Sequence, residues 1–283
     1  MTTTRPLPVR LAGLLLAAGL VLAGCTSDGD GTAATTTTRP GSPTTTAAPA
    51  GRPLRLLVTN DDGIRAEGID VLVTALKALP GVEVHVVAPA DNQSGTSDRT
   101  TPGGAPSQPG TTASGVEGTA VSGFPADTIA VALDEQHLEP DLVVSGINAG
   151  QNAGPIGAVS GTVGAARTAL RRGVPAIALS AGAVQPHNYD IAARIAVKWI
   201  EEHRTALLAG KVGTETLVNV NVPVCTAGSV KEPVEVPPAT APPKGQEARV
   251  FATDCTAPAP APTDDMTALV GGHPAISMVP ADL

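Results

Sequence analysis

From residue 54 onward the chain alternates short apolar runs with polar loops. Leu54-Arg55-Leu56-Leu57-Val58-Thr59 has strand length and runs straight into Asn60-Asp61-Asp62-Gly63-Ile64. An apolar run bounded by a turn signal predicts a buried central strand of a parallel sheet. Ile69, Leu72, Val73, Leu76 and Leu79 then recur at helical spacing, and Pro80-Gly81 stops that helix. Val82, Val84 and Val86 alternate, giving a second strand that ends at Ala88-Pro89. Strand, helix, strand is a βαβ unit, a crossover that is right-handed as a rule.

The alternation continues. Residues 91–123 read as loops with short hairpin strands, and Asp127–Leu133 as a short helix. Asp141–Ser145 is another buried strand, Thr162–Leu170 a helix with Gly173 just beyond it, and Pro175–Ser180 a fourth strand. Tyr189–His203 is amphipathic, with Ile191, Ile195, Val197 and Trp199 among its apolar residues. Leu217–Val222 is a fifth strand. The stretch Pro223–Asp264 is Pro-rich and irregular, and Ala275–Val279 closes the chain as an edge strand. This pattern predicts an α/β fold: a three-layer α/β/α, doubly wound, mainly parallel, Rossmann-like sheet. There is no internal repeat.

The first 52 residues do not belong to that pattern. Arg5 and Arg10 precede an apolar run from Leu11 to Ala23, too short to span a bilayer comfortably. The run ends in Leu22-Ala23-Gly24-Cys25, which resembles the lipobox of bacterial lipoproteins. That resemblance implies a signal peptide over 1–24 and lipidation of Cys25, which places the chain outside the cell membrane on a lipid anchor. An ordinary cleaved signal with an incidental cysteine is the plainer reading. From Thr26 to about Arg52 the chain is Thr, Pro, Gly, Ser and Ala with little to bury, so 25–52 reads as a disordered tether. Residues 53–283 form the domain, long enough for a sizeable core.

Composition narrows the function. A net charge of −8 argues against a nucleic-acid polymer as partner and against a polybasic membrane patch. Aromatic residues make up 1% of the chain, too few for base-stacking platforms. Apart from Cys25, the cysteines are Cys225 and Cys255, an even pair in an exported protein. A disulfide and two free thiols are both open.

Three polar clusters fall just past the ends of expected strands: Asn60-Asp61-Asp62-Gly63, Asp91-Asn92-Gln93-Ser94-Gly95, and Ser145-Gly146-Ile147-Asn148-Ala149-Gly150-Gln151-Asn152. Open parallel sheets bind ligands at that edge. Adjacent carboxylates there suit a hard divalent cation, although Asn-Asp-Asp-Gly is also a plain turn sequence. Oxygen donors without a His-Cys cluster favour Mg²⁺ or Mn²⁺, with Ca²⁺ also admitted, over Zn²⁺. Ser160-Gly161-Thr162 opens an expected helix, where N-capping and anion binding are compatible.

These motifs together resemble the SurE family of survival-protein nucleotidases. The resemblance rests on the clusters above and on Gly123-Phe124-Pro125-Ala126-Asp127, Gly173-Val174-Pro175-Ala176 and Asn219-Val220-Asn221-Val222-Pro223. It implies a divalent-metal phosphomonoesterase acting on nucleoside 5′- and 3′-monophosphates. It places the metal ligands on Asp61, Asp62, Ser94 and Asn148, with Asp61, Asp62 and Asn148 as the catalytic set. Asn60, Asn152, Ser160, Gly161 and Thr162 are the residues expected to bind or orient the phosphate. Family members are mostly cytoplasmic, whereas this chain carries an export signal. Residues 99–120 and 224–263 depart from the family pattern, in segments that shape the active-site rim and subunit exchange, so a homodimer is left open. A non-catalytic exported nucleotide- or metal-binding lipoprotein is the alternative.

The five histidines add little by sequence. His85 lies among valines. His187 precedes Asn188-Tyr189-Asp190 near a helix start, where it can cap or contact substrate. There is no Arg-His-Gly pattern, no phosphate-loop lysine motif and no Gly-x-Ser-x-Gly elbow.

Overall fold

The computed structural model describes residues 51–185 and 187–282. The expected signal peptide, Cys25 and the expected tether as far as residue 50 therefore lie outside the described residues. The strands are β1 (Leu54–Thr59), β2 (Val82–Pro89), β3 (Ser107–Thr111), β4 (Glu117–Val121), β5 (Leu142–Ala149), β6 (Ala176–Ala181), β7 (Thr216–Val222), β8 (Cys225–Ala227), β9 (Val234–Glu235), β10 (Thr253–Asp254) and β11 (Ala275–Pro280). The α-helices are α1 (Glu67–Lys77), α2 (Pro125–Ala130), α3 (Gly161–Arg171), α4 (Tyr189–Leu208) and α5 (Asp265–Val270). Among the described residues, one sheet runs in the order β3-β4-β2-β1-β5-β6-β7-β11-β9. Pairing is parallel from β4 through β7, while β3 and β11 are antiparallel to β4 and β7.

The apolar runs are continuous because both faces of the sheet are covered. In β1, Leu54, Leu56 and Val58 pack with Ile69, Leu72 and Leu76 of α1 and Ala192, Ala196 and Ile200 of α4. Leu57 points the other way, into a cluster with Ile129 of α2 and Val163, Ala166 and Leu170 of α3. Each such leucine, isoleucine or valine contributes about 1.5–3 kcal/mol by leaving water. A one-residue slip of β1 would exchange the two sets, so register is strongly specified. Gly68 sits where a Cβ would overlap the Ile147 carbonyl oxygen, so glycine lets α1 lie directly on β5.

β1 has β2 on one side and β5 on the other. The chain leaving β1 enters α1 on one face, and the chain leaving β5 enters α3 on the opposite face. The two loops part at this point and leave a crevice at the carboxyl ends, the topological switch point of an open sheet.

One expectation is corrected beyond β7, and one helix is new. Ala275–Pro280 is not an edge strand: Ala275 and Ile276 pair with Val234 and Glu235 of β9. Those two residues sit between Pro233 and Pro237, which leaves no alternation to read. The helix α5 has no sequence forecast either, yet Asp264 caps it, accepting from the Thr267 N–H at 2.8 Å. Cys225 and Cys255 form a disulfide that closes the Pro-rich stretch. A small core of Ala153, Ala239, Val250, Met266, Leu269 and Val270 lies beneath it.

Candidate active site

Asp61 and Asp62 follow β1 and diverge across the crevice. Asn60 shapes their turn: its Nδ2 donates to the Gly63 carbonyl at 2.9 Å, and its Oδ1 accepts from the Gly63 N–H at 3.3 Å. Asn60 is fully buried, so both polar ends serve the turn.

Asp61 faces α3. The Thr162 hydroxyl donates to Asp61 Oδ1 at 2.5 Å, and the side chain is only 2% exposed. A Cβ at Gly161 would lie 2.8 Å from Asp61 Cβ and 3.0 Å from Oδ2, so glycine admits the helix start to the carboxylate. Burial pushes the Asp61 carboxyl up to about 6, against the Thr162 hydrogen bond, and the Asp62 charge adds to the rise. Ser160 caps the same helix, its Oγ accepting from the Val163 N–H at 3.1 Å.

Asp62 turns the other way. Its Oδ2 accepts from the Ala149 N–H at 3.0 Å and its Oδ1 from Asn92 Nδ2 at 3.1 Å. Burial raises this carboxyl too, opposed by those two hydrogen bonds and by the charge of His187.

The second loop joins through the backbone: the Gln93 N–H donates to the Asp61 carbonyl at 2.7 Å. Ser94 follows on the exposed side, its N–H held by Asn92 Oδ1 at 3.0 Å. The third loop brings Asn148, 8% exposed, whose Nδ2 donates to the Gly150 carbonyl at 2.7 Å. Its Oδ1 accepts no hydrogen bond among the described residues. Asn152 lies deeper. Its Nδ2 reaches Ser180 Oγ at 2.9 Å, and its backbone is clasped by Asn221 Oδ1 at 2.6 Å and Asn219 Nδ2 at 3.0 Å.

The structure thus brings Asp61, Asp62, Ser94 and Asn148 to one carboxyl edge, together with the Ser160-Gly161-Thr162 helix start. Asn60 and Asn152 stand behind them as buried supports. Sequence reasoning did not single out Asn92 or Ala149, and it left His187 between capping a helix and contacting substrate. Asn92 lies inside a motif that pointed to Ser94, but the hydrogen bond from Ala149 is made by backbone and leaves no sequence signal. Among the described residues, no three His, Cys, Asp or Glu side chains gather. The donors are two carboxylates with neutral oxygens, a set that suits a hard cation.

Comparison with known proteins identifies the family. A family model described as "Survival protein SurE" matches residues 56–240. The "5′-nucleotidase SurE" of Vibrio parahaemolyticus is 41% identical over 175 residues, covering 61% of this chain and 63% of that one. The protein of the same name from Brevibacillus brevis is 39% identical over 184 residues, covering 63% of this chain and 69% of its own. The matched stretch is thus about two thirds of the length of these relatives. The crystal structure of the SurE protein from Aquifex aeolicus superposes with a TM-score of 0.63 at 26% identity, over 81% of this chain and 94% of that one. The match takes in β1 from Leu56 through β7, β9 and all three loops of the crevice, and the chain belongs to the survival protein SurE family.

Proposed function

We propose that the protein is a divalent-metal-dependent phosphomonoesterase that hydrolyses nucleoside 5′-monophosphates, with 3′-monophosphates left open, to nucleoside and phosphate. One observation carries this reading. Two adjacent carboxylates sit at the switch point of the sheet, one of them against the first turn of an eleven-residue helix. The name of the relatives, 5′-nucleotidase, supports the substrate class.

Asp61, Asp62, Ser94 and Asn148 would hold one Mg²⁺ or Mn²⁺, and Ca²⁺ also suits such oxygens. The fit rests on the charge state of the donors. Asp61 is a buried carboxylate with no basic partner among the described residues, and a cation would relieve that cost. When bound, the cation supplies Lewis acidity that polarises the phosphoryl group and eases deprotonation of water. The chain supplies the rest. The helix start at Gly161, at the positive end of α3, would take the phosphoryl oxygens. Ser160 fixes that helix start by capping it. Thr162 orients Asp61, and Asn92 orients Asp62. Asn60 and Asn152 hold the first and third loops in shape.

The test is phosphate release from nucleoside monophosphates by the full chain with Mn²⁺, Mg²⁺ or EDTA. Release that needs the metal is expected. Folded protein that releases nothing with either metal would sink the reading.

We also propose export and anchoring through lipid on Cys25. The Cys225–Cys255 disulfide supports this, since such bonds persist in oxidising compartments. Mass spectrometry of the mature protein should find acylated Cys25 as its first residue. A native chain keeping residues 1–24 would refute it.

A further inference from the structure

We propose that His187 is a catalytic residue, the proton donor to the leaving nucleoside oxygen. The proposal rests on the phosphomonoesterase reading above and adds to it the group that carries the proton.

His187 lies between β6 and α4, in a loop leaving the carboxyl end of a parallel strand. Of the five histidines it is the one so placed. Two contacts fix its ring. Nδ1 lies 2.8 Å from the Gly182 carbonyl, and the ring stacks on Tyr189 with centroids 4.9 Å apart and planes at 19°. Both anchors belong to the crevice. Gly182 follows Ala181, which pairs with Ala149 and whose carbonyl accepts from the Gly150 N–H at 2.7 Å. Tyr189 is wedged at the Gly68–Ile147 contact, its Cε1 3.4 Å from the Cβ position of Gly68. The ring therefore sits beside the turn whose Ala149 N–H holds Asp62.

A carbonyl oxygen can only accept, so Nδ1 carries a hydrogen. Nε2 is left as the end that takes up and gives up a proton. Imidazole is the side chain suited to that exchange near neutral pH. Asp61 and Asp62 are committed to the cation, and Ser160 and Thr162 to capping and to Asp61.

The step balances as follows. The oxygen of a water molecule bonds to phosphorus as the bond from phosphorus to the nucleoside oxygen breaks. The electron pair of the broken bond stays on the nucleoside oxygen, which takes the proton from Nε2 and leaves as the alcohol. The attacking water releases a proton to solvent, and solvent returns one to Nε2. A nucleoside hydroxyl is a poor leaving group and needs this proton. A nitrophenolate is a good one and does not.

That difference gives the test. The full chain, His187→Ala and His187→Gln are each assayed with Mn²⁺ on AMP and on p-nitrophenyl phosphate. The glutamine amide can still donate to the Gly182 carbonyl but cannot act as an acid. In both variants the AMP rate should fall by about 10²–10⁴-fold, the range for a general acid, while the nitrophenyl ester falls far less. Because the ratio is taken within one protein sample, partial unfolding does not move it. An equal loss on both esters would make His187 a packing residue, and no loss on AMP would remove it from the reaction. Wild-type protein that cleaves neither ester would overturn the phosphatase reading and this one together. Wild-type protein that cleaves both, with the ratio kept in the variants, would overturn only the role of His187.

Discussion

The crevice at the end of β1 and the stretch from Pro223 to Val270 adjoin each other, yet they treat polar groups in opposite ways. In the crevice Asp61 is 2% exposed with no basic partner, and Ser145, Gln151, Asn219 and Asn221 each bury a side-chain atom lacking a protein partner among the described residues. Such groups cost stability. In the Pro-rich stretch the buried carboxylate is fully engaged: Asp265 accepts from the Gly154 N–H at 2.9 Å and the Ala239 N–H at 2.8 Å. Thr253 Oγ1 donates to the Val270 carbonyl at 2.9 Å, and a disulfide closes the segment. A sheet with two covered faces can carry a costly polar edge. A segment with little sheet or helix of its own has to be held by specific links. Chemistry and stability are therefore expected to respond separately to mutation in the two regions.

The largest effect is expected from Asp61→Asn. Nucleotidase kcat/KM should fall on the order of 10³-fold or more, since the variant removes a ligand charge. The melting temperature of the metal-free protein at neutral pH should hold or rise, because a buried charge is gone. A variant with full rate and a lower melting temperature would reverse the comparison. Next comes the paired change Cys225→Ser with Cys255→Ser. It should cost about 2–5 kcal/mol, the range for a native disulfide, read by denaturant unfolding. Below its new melting temperature the variant should keep its kcat. Loss of kcat in folded, reduced protein would place the stretch inside the catalytic machinery.

The same contrast decides what could be read from sequence. β1, β5 and β6 were legible because strands buried on both faces are apolar throughout. The Asp61-Asp62, Ser94 and Asn148 loops were legible because each polar cluster directly follows such a strand. Less legible was the work inside those clusters. Asn60 satisfies its own turn, a role a sequence cannot separate from phosphate contact. His187 reaches the site only through the path of its loop, by Gly182 and Tyr189. β9 and α5 were not legible at all. A two-residue pairing between prolines has no period, and a six-residue helix is set by its cap and by contacts distant in sequence.

A third, smaller effect tests the engaged carboxylate. Asp265→Ala should lose about 1.5–3 kcal/mol for each charged hydrogen bond that nothing replaces. It should loosen Gly154 and Ala239 before it touches the metal loops. Hydrogen exchange should show early opening at those two amides, with Asp61 and Gln93 unchanged. Uniform opening of both regions would mean that they fold as one unit and that the division drawn above is only geometric.

The smallest effect is that of pH on metal-free protein. Burial holds Asp61 at about 6 in the folded chain, above its unfolded value. Stability from that proton is present in full below the unfolded pKa and is lost as pH rises through about 6. Burial shifts Asp62 and Asp265 in the same direction. Asp70, Asp98 and Asp141 are held low despite partial burial: Asp70 by hydroxyl partners, Asp98 by its own backbone N–H and then Arg171, and Asp141 chiefly by Arg52. Their contribution is lost only at lower pH, so they leave the range from about pH 5 to 7 nearly flat. The melting temperature of metal-free protein should therefore fall from pH 5 to 7. In Asp61→Asn it should fall less, so the two proteins converge at pH 5 and separate at pH 7. Adding Mn²⁺ should work against the fall in the wild type alone, because binding needs the ionised carboxylate. Parallel curves with and without Asp61 would mean that this buried charge costs the fold nothing, and the crevice would no longer differ energetically from the stretch that borders it.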